Sequence, residues 1–228
     1  MKNISGSQAG FSLIELAIAL VIIGVVVGAI LLKGGDLIEN ARLKAVLSQV
    51  NEIRIAVATF QDRYNALPGD YDQASEHIKT SLINGQNDGI IGGKGLDPTS
   101  EAFNFWSHLA AASLISDPGK MNNGTPRFGQ GAPTSRIGGG FTIKSTPQED
   151  MPGVWIVLGS ENGEEGNGAL LTPLQAMHLD KRADDGDPLK GKIRALNGNK
   201  PDEQCLTEEG LYNTKLAKPA CVVYFQLF

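Results

Sequence analysis

Cysteine is scarce in this chain of 228 residues, with only Cys205 and Cys221 present. Neither stands in a C-x-x-C, and no Cys or His pair has the spacing of a zinc site, which sets aside redox-motif and zinc-ribbon classes. The two lie close together near the C-terminus, with Gly210 and Pro219 between them. They read either as a disulfide, which outside the cytoplasm contributes about 3 kcal/mol by restricting the unfolded chain, or as two buried thiols. Histidine is also sparse: His77, His108 and His178 are isolated and form no H-E-x-x-H pair. Basic residues are outnumbered, 20 Lys and Arg against 25 Asp and Glu, for a formal net charge of -5. With no cluster of Lys, Arg and aromatic residues either, no nucleic-acid partner is expected.

Enzyme signatures are missing as well. Gly159-Ser160-Glu161-Asn162-Gly163 has its serine second, whereas a nucleophile elbow needs it central in G-x-S-x-G. Gly93-Lys94 matches the end of a phosphate-binding loop, but Asp88 stands where the first glycine is required and Gly95 where Ser or Thr is required. No catalytic residue and no organic cofactor is expected. A secretory signal of the usual order, with a small-residue cleavage site after the apolar stretch, is absent too.

What is present is concentrated at the N-terminus. Residues 11–32 form an apolar run broken only by Ser12 and Glu15, of a length that crosses one bilayer as a helix. No comparable run follows, so one anchor carries one soluble domain. Glu15 demands a reason, because an ionisable group inside an apolar span costs about 2.5–3.5 kcal/mol or more unless paired. It stands one helical turn after Phe11. A free amine at Phe11, created by a cut after Gly10, would supply the partner; a plain anchor with Glu15 in the headgroup layer is the simpler alternative.

Gly10-Phe11-Ser12-Leu13-Ile14-Glu15-Leu16, followed by an apolar helix containing Gly24, resembles the processing segment of type IV prepilins and type II secretion pseudopilins. The resemblance is tight from about residue 10 to residue 27. It implies cleavage between Gly10 and Phe11 by a membrane aspartyl prepilin peptidase, N-methylation of the new Phe11 amine, and an assembly role for Glu15 against the amine of a neighbouring subunit. It further implies a head in the periplasm beneath a single inner-membrane span. The partners it implies are identical or related pilin subunits, an inner-membrane assembly platform and the lipid bilayer before assembly. The product is an extracellular pilus or a periplasmic pseudopilus. Two departures stand out: Leu32 occupies the place of a kinking proline found in many pilins, and Gly34-Gly35 follow, as a bend or as a flexible break.

From Asp36 helix formers return. Leu43, Val46, Val50, Ile53, Val57, Phe60 and Tyr64 recur at spacings of three and four, an apolar stripe that ends at Leu67-Pro68-Gly69-Asp70. The expected division is a leader at 1–10, a transmembrane half-helix at 11–35, an amphipathic half-helix at 36–67 and a globular head at 68–228. Within the head, a helix is expected near residues 100–115 and another at 172–179, with strands at 140–144, 154–158 and 221–225. The fold class is α+β, a long N-terminal helix packed on an antiparallel sheet.

Two oxygen-rich stretches remain. Asn84, Gln86 and Asp88 before Gly89 imitate the opening of an EF-hand loop, although Gly95 stands where the closing Glu belongs. Asp184, Asp185 and Asp187, with Asp180, form a second group, and some type II secretion relatives hold calcium in a C-terminal loop. Each reads as a calcium site or as surface turns in which Asn, Asp and Gly serve backbone geometry. The functional expectation is a filament subunit of the type IV pilus kind, with a pseudopilin or a membrane-anchored binding or enzymatic domain as alternatives.

Overall fold

The structure is a computed structural model that describes residues 10–228, with the side chains at 29–33 and 36 outside that description. The expected leader falls almost wholly on the undescribed residues 1–9. Contacts divide the chain into two units, Met1–Ala41 and Arg42–Phe228.

Helix α1, Leu13–Tyr64, contributes to both units. In the first unit its described side chains from Leu13 to Val27 are exposed and almost all apolar. Among the described residues no helix is long and apolar enough to cross a membrane. The apolar run expected at 11–32 ends on side chains outside the described set. Gly34 and Gly35 are helical, so no break in hydrogen bonding interrupts α1 there.

In the second unit the stripe read from the sequence is the core-facing side of α1. Leu43, Val46, Val50, Ile53, Val57 and Phe60 are each buried, while polar neighbours face water. The spacing that places them on one face of a 3.6-residue helix is the whole cause. They join one cluster with Phe141, Ile143, Ile156, Leu158, Ile193, Val223 and Phe225 from the sheet.

That sheet has the order β3 (Gly140–Ser145), β4 (Val154–Gly159), β6 (Cys221–Gln226), β5 (Ile193–Asn197), antiparallel throughout. Alternate residues of β4 and β6 point to opposite faces. Ile156, Leu158, Val223 and Phe225 enter the main core, whereas Trp155, Val157, Val222 and Tyr224 form a second cluster with Met151 on the other face. Both faces are covered, which explains why every residue of β4 is buried. Short β1 (Arg127–Phe128) and β2 (Gly131–Ala132) form a separate two-stranded piece.

Three more helices complete the head. α2 is the single turn Ala74–His77. α3, Glu101–Ala111, starts at Ser100, whose hydroxyl accepts the Phe103 N–H, and it packs on β3 and β2. α4, Pro173–Ala183, starts with a full capping box between Thr172 and Gln175 and packs on β5 and β6. It runs four residues beyond the expected end at 179, because Asp180 is a buried helical residue rather than the opening of a turn.

Candidate functional site

The residues that begin α1 form the first candidate site. Gly10, Phe11 and Ser12 precede the helix, and Phe11 is 86% exposed. A Cβ added at Gly10 would meet nothing within 4 Å. Among the described residues the Gly10–Phe11 peptide bond therefore lies outside helical hydrogen bonding, with no neighbour near Gly10.

Glu15 is held by Ser12. The Ser12 N–H donates to Glu15 Oε2 at 3.1 Å, the Ser12 hydroxyl donates to the same oxygen at 3.2 Å, and the Glu15 N–H donates to Ser12 Oγ at 3.2 Å. This is a reciprocal capping box, with Ser12 at the N-cap and Glu15 three residues in. The spacing Ser-x-x-Glu is the sequence mark of such a box, a local partner for Glu15 besides the Phe11 amine and the headgroup layer. Its carboxylate also sits at the positive end of the helix dipole. The same carboxylate is exposed and within a turn of Phe11, so it remains available to an amine.

The second candidate region is the C-terminal part of the head. Cys205 and Cys221 form a disulfide, both fully buried. Cys221 opens β6, opposite Asn197 at the end of β5, so the bond ties a long β5–β6 connection back to its own base. Leu206 N–H donates to Asn197 Oδ1 at 3.1 Å and Asn213 N–H to the Cys205 carbonyl at 2.8 Å, closing the connection further.

The acidic group lies beside this connection. Asp180, Asp184 and Asp185 bring carboxylate oxygens within 4.8 Å of one another. Asp187 is not part of that trio; it accepts Leu189 N–H at 3.1 Å and the Lys190 ammonium at 2.7 Å, and these bonds hold its carboxyl below the usual range. Asp184 accepts the N–H groups of Lys192 and Ile193, the latter at 2.7 Å, which turns the chain into β5. Asp180 uses both oxygens: Tyr212 Oη donates at 2.7 Å and Gly186 N–H at 3.1 Å. Burial pushes the Asp180 carboxyl up to about 6, against the opposing pull of those two donors. Burial and the same carboxylate raise the Tyr212 phenol. This cluster works first as a latch between α4, the turn into β5 and the disulfide-closed connection.

The EF-hand-like stretch is organised from outside. Asn84 Oδ1 accepts Ser75 N–H at 2.8 Å and Asp88 Oδ1 accepts Ile90 N–H at 2.9 Å. The loop itself hangs on Asp70 and Glu101, which accept the N–H groups of Asp88, Gly89, Gln86 and Gly92 at 2.9–3.0 Å. Asp70 and Glu101 were not singled out in the sequence, since each reads alone as a turn residue or a helix-start acid.

His108, Ser160 and His77 have structural partners. His108 is fully buried; Gly69 N–H donates to its Nδ1 at 3.0 Å, Nε2 lies 2.8 Å from the Ile83 carbonyl, and burial lowers its pKa. The Ser160 hydroxyl donates to the Ala169 carbonyl at 2.9 Å. His77 meets the Tyr71 hydroxyl.

Residues 5–31 match the family model described as the prokaryotic N-terminal methylation motif. Among solved structures, the chain is distantly similar to the major Type IV pilin PilA1 from Clostridium difficile, at 15% identity and a TM-score of 0.39, over 84% of this chain and 97% of that one. No curated protein matches the chain.

Proposed function

We propose that this chain, whose residues 5–31 carry the prokaryotic N-terminal methylation motif of prepilin-type proteins, is a structural subunit of a type IV pilus-like filament. It is made as a precursor anchored in the inner membrane by the apolar half of α1, with its head on the periplasmic side. A prepilin peptidase cuts after Gly10 and the new Phe11 amine is methylated. Subunits then leave the bilayer through an assembly platform and pack by their N-terminal helices.

The observation that carries this reading is Gly10-Phe11 placed open and non-helical directly before a helix that exposes an apolar surface with one acid near its start. A protease needs the bond in an extended, reachable form. An apolar surface of that extent needs lipid or another apolar surface against it. Glu15 serves the assembled state: once the leader is gone, the Phe11 ammonium adds positive charge to a helix end already positive by its dipole, and a carboxylate from a neighbour offsets it. Size favours a filament subunit with an elaborated head over a minimal repeating one.

Intact-mass and N-terminal analysis of the protein from membranes and from sheared extracellular material, with and without a prepilin peptidase, tests the proposal. The expected result is a methylated Phe11 terminus in the sheared fraction. An uncut Met1 terminus confined to membranes in the presence of the peptidase would overturn it.

A further inference from the structure

We infer that two surfaces at opposite edges of the head are complementary, and that a second copy of this chain docks its acidic disulfide-loop turn into a lysine-rimmed apolar cleft beside α3. The inference rests on the filament reading and names a head-to-head contact within it.

The cleft, of about 630 Å³, has an apolar floor of Leu82, Ile83, Phe103 and Met121, with Lys79 and Lys120 among its lining residues. Ile83 is 50% exposed and Met121 39%, so a good part of this floor faces water in the single chain. Among the described residues neither lysine takes part in an ion pair. The acid in the cleft, Asp117, spends one oxygen on the Gly119 N–H at 2.9 Å. An occupant that fits combines an apolar side chain with carboxylates.

The chain carries such a group itself. In residues 207–211 Thr207 N–H donates to the Leu211 carbonyl at 2.8 Å and Gly210 N–H to the Thr207 carbonyl at 3.0 Å, closing a tight turn. Gly210, at φ +76°, backs onto Leu189. The turn presents Leu211, 55% exposed, beside Glu208 and Glu209, and Leu189 is 42% exposed. Neither glutamate is in an ion pair among the described residues, whereas Lys218 of the same connection is taken by Glu203 at 3.4 Å. The disulfide and the Asp180–Tyr212 bond fix the turn's base, so little ordering is left to lose on docking.

The sheet order keeps these surfaces apart within one molecule. α3 packs on β3, one edge strand, while the connection leaves from β5, the other. The two edges are three strand spacings apart, about 14 Å. A patch that fits a different patch on the next copy makes a heterologous contact, and heterologous contacts that do not close on themselves propagate as open helical arrays. Opposite charges at the rim set register between copies and penalise mismatched neighbours.

Zero-length carbodiimide cross-linking of sheared filaments, with mass spectrometry of the linked peptides, tests the contact on the unaltered chain. The expected products join Lys79 or Lys120 of one copy to Glu208 or Glu209 of another. Charge reversal is the companion experiment: K79E/K120E and E208K/E209K each lower filament yield by about tenfold or more, and the four together restore it to within about threefold. Filaments without the cross-link, and with wild-type yield from both reversals, would overturn the contact and leave the filament reading standing. Absence of cut, sheared product from the unaltered chain would overturn both. Retention of the disulfide in each variant guards against a folding defect, and the cross-link decides the contact without any substitution.

Discussion

Removing the disulfide is the perturbation whose size follows most directly from the structure. Cys205 and Cys221 are separated by 16 residues in sequence. Closing a loop of that length removes about 3 kcal/mol of entropy from the unfolded chain. The folded side changes little, because the Tyr212–Asp180 side-chain bond, the Leu206 N–H bond to Asn197 Oδ1 and the Asn213–Cys205 backbone bond hold the connection without it. Alanine at both positions is the cleaner substitution, since both sites are fully buried and a serine hydroxyl there would lack a guaranteed partner. For a head of this size about 3 kcal/mol corresponds to a melting point lower by about 6–12 °C. Trp106 and Trp155 are both buried in the head, so intrinsic fluorescence and near-ultraviolet circular dichroism report its unfolding independently of the apolar helix. The full chain in detergent is melted with and without reductant, with free thiols counted by alkylation and mass. Two free thiols together with a melting point within about 2 °C of the oxidised protein would refute the loop-entropy argument.

Glu15→Gln retains one acceptor oxygen for the Ser12 donors, as an amide, and removes the charge, whereas Glu15→Ala removes both. Both variants are expected to be cut after Gly10 and both to assemble poorly; normal filament yield from the Gln variant would assign Glu15 to helix initiation alone. Phe60 is fully buried and packs against Tyr64, Tyr71 and His108, so Phe60→Ala is expected to cost about 3–5 kcal/mol in denaturant unfolding. The Asp180 carboxyl, raised to about 6 from 3.8, binds its proton more tightly folded than unfolded. Its contribution therefore falls as pH rises from about 4 to about 6, by about 2 kcal/mol once screening near the surface is allowed for. Asp180→Asn should flatten that part of the stability profile, and parallel profiles for both proteins would count against a buried ionisable carboxyl. His108 acts in the other direction: its pKa is lowered by burial, so the unfolded chain takes up the proton first and stability declines as pH drops below 6.5. His108→Leu should remove that decline while costing overall stability, because Gly69 N–H loses its acceptor.

Much of this was legible because local rules decide it. The stripe from Leu43 to Tyr64 could face only one way on a helix, and Thr172-Pro173 marks a helix start, which a capping box with Gln175 occupies. Strands β3, β4 and β6 announced themselves by continuous or alternating apolar residues. β5 did not, since Ile193-Arg194-Ala195-Leu196-Asn197 follows an acid-rich turn and is a strand only because β6 pairs with it. Asp180 and His108 were illegible for a related reason: each is a polar residue made structural by partners far along the chain, Tyr212 in one case, Gly69 and Ile83 in the other. At the EF-hand-like stretch the local pattern did not show that Asp70 and Glu101, outside the motif, hold the backbone N–H groups of the loop.

The placement of β6 between β4 and β5 sets the timetable of folding. Among the described residues β5 has no other strand to pair with, and β4 has an open edge until residues 221–226 arrive. A nascent head that has delivered everything but this strand therefore carries two unsatisfied ladders and an uncovered half-core, a state prone to pairing with other chains. Delivery of β6 thus acts as a checkpoint for the sheet. The disulfide closes at the first residue of β6, so the covalent lock becomes available only when the central strand does.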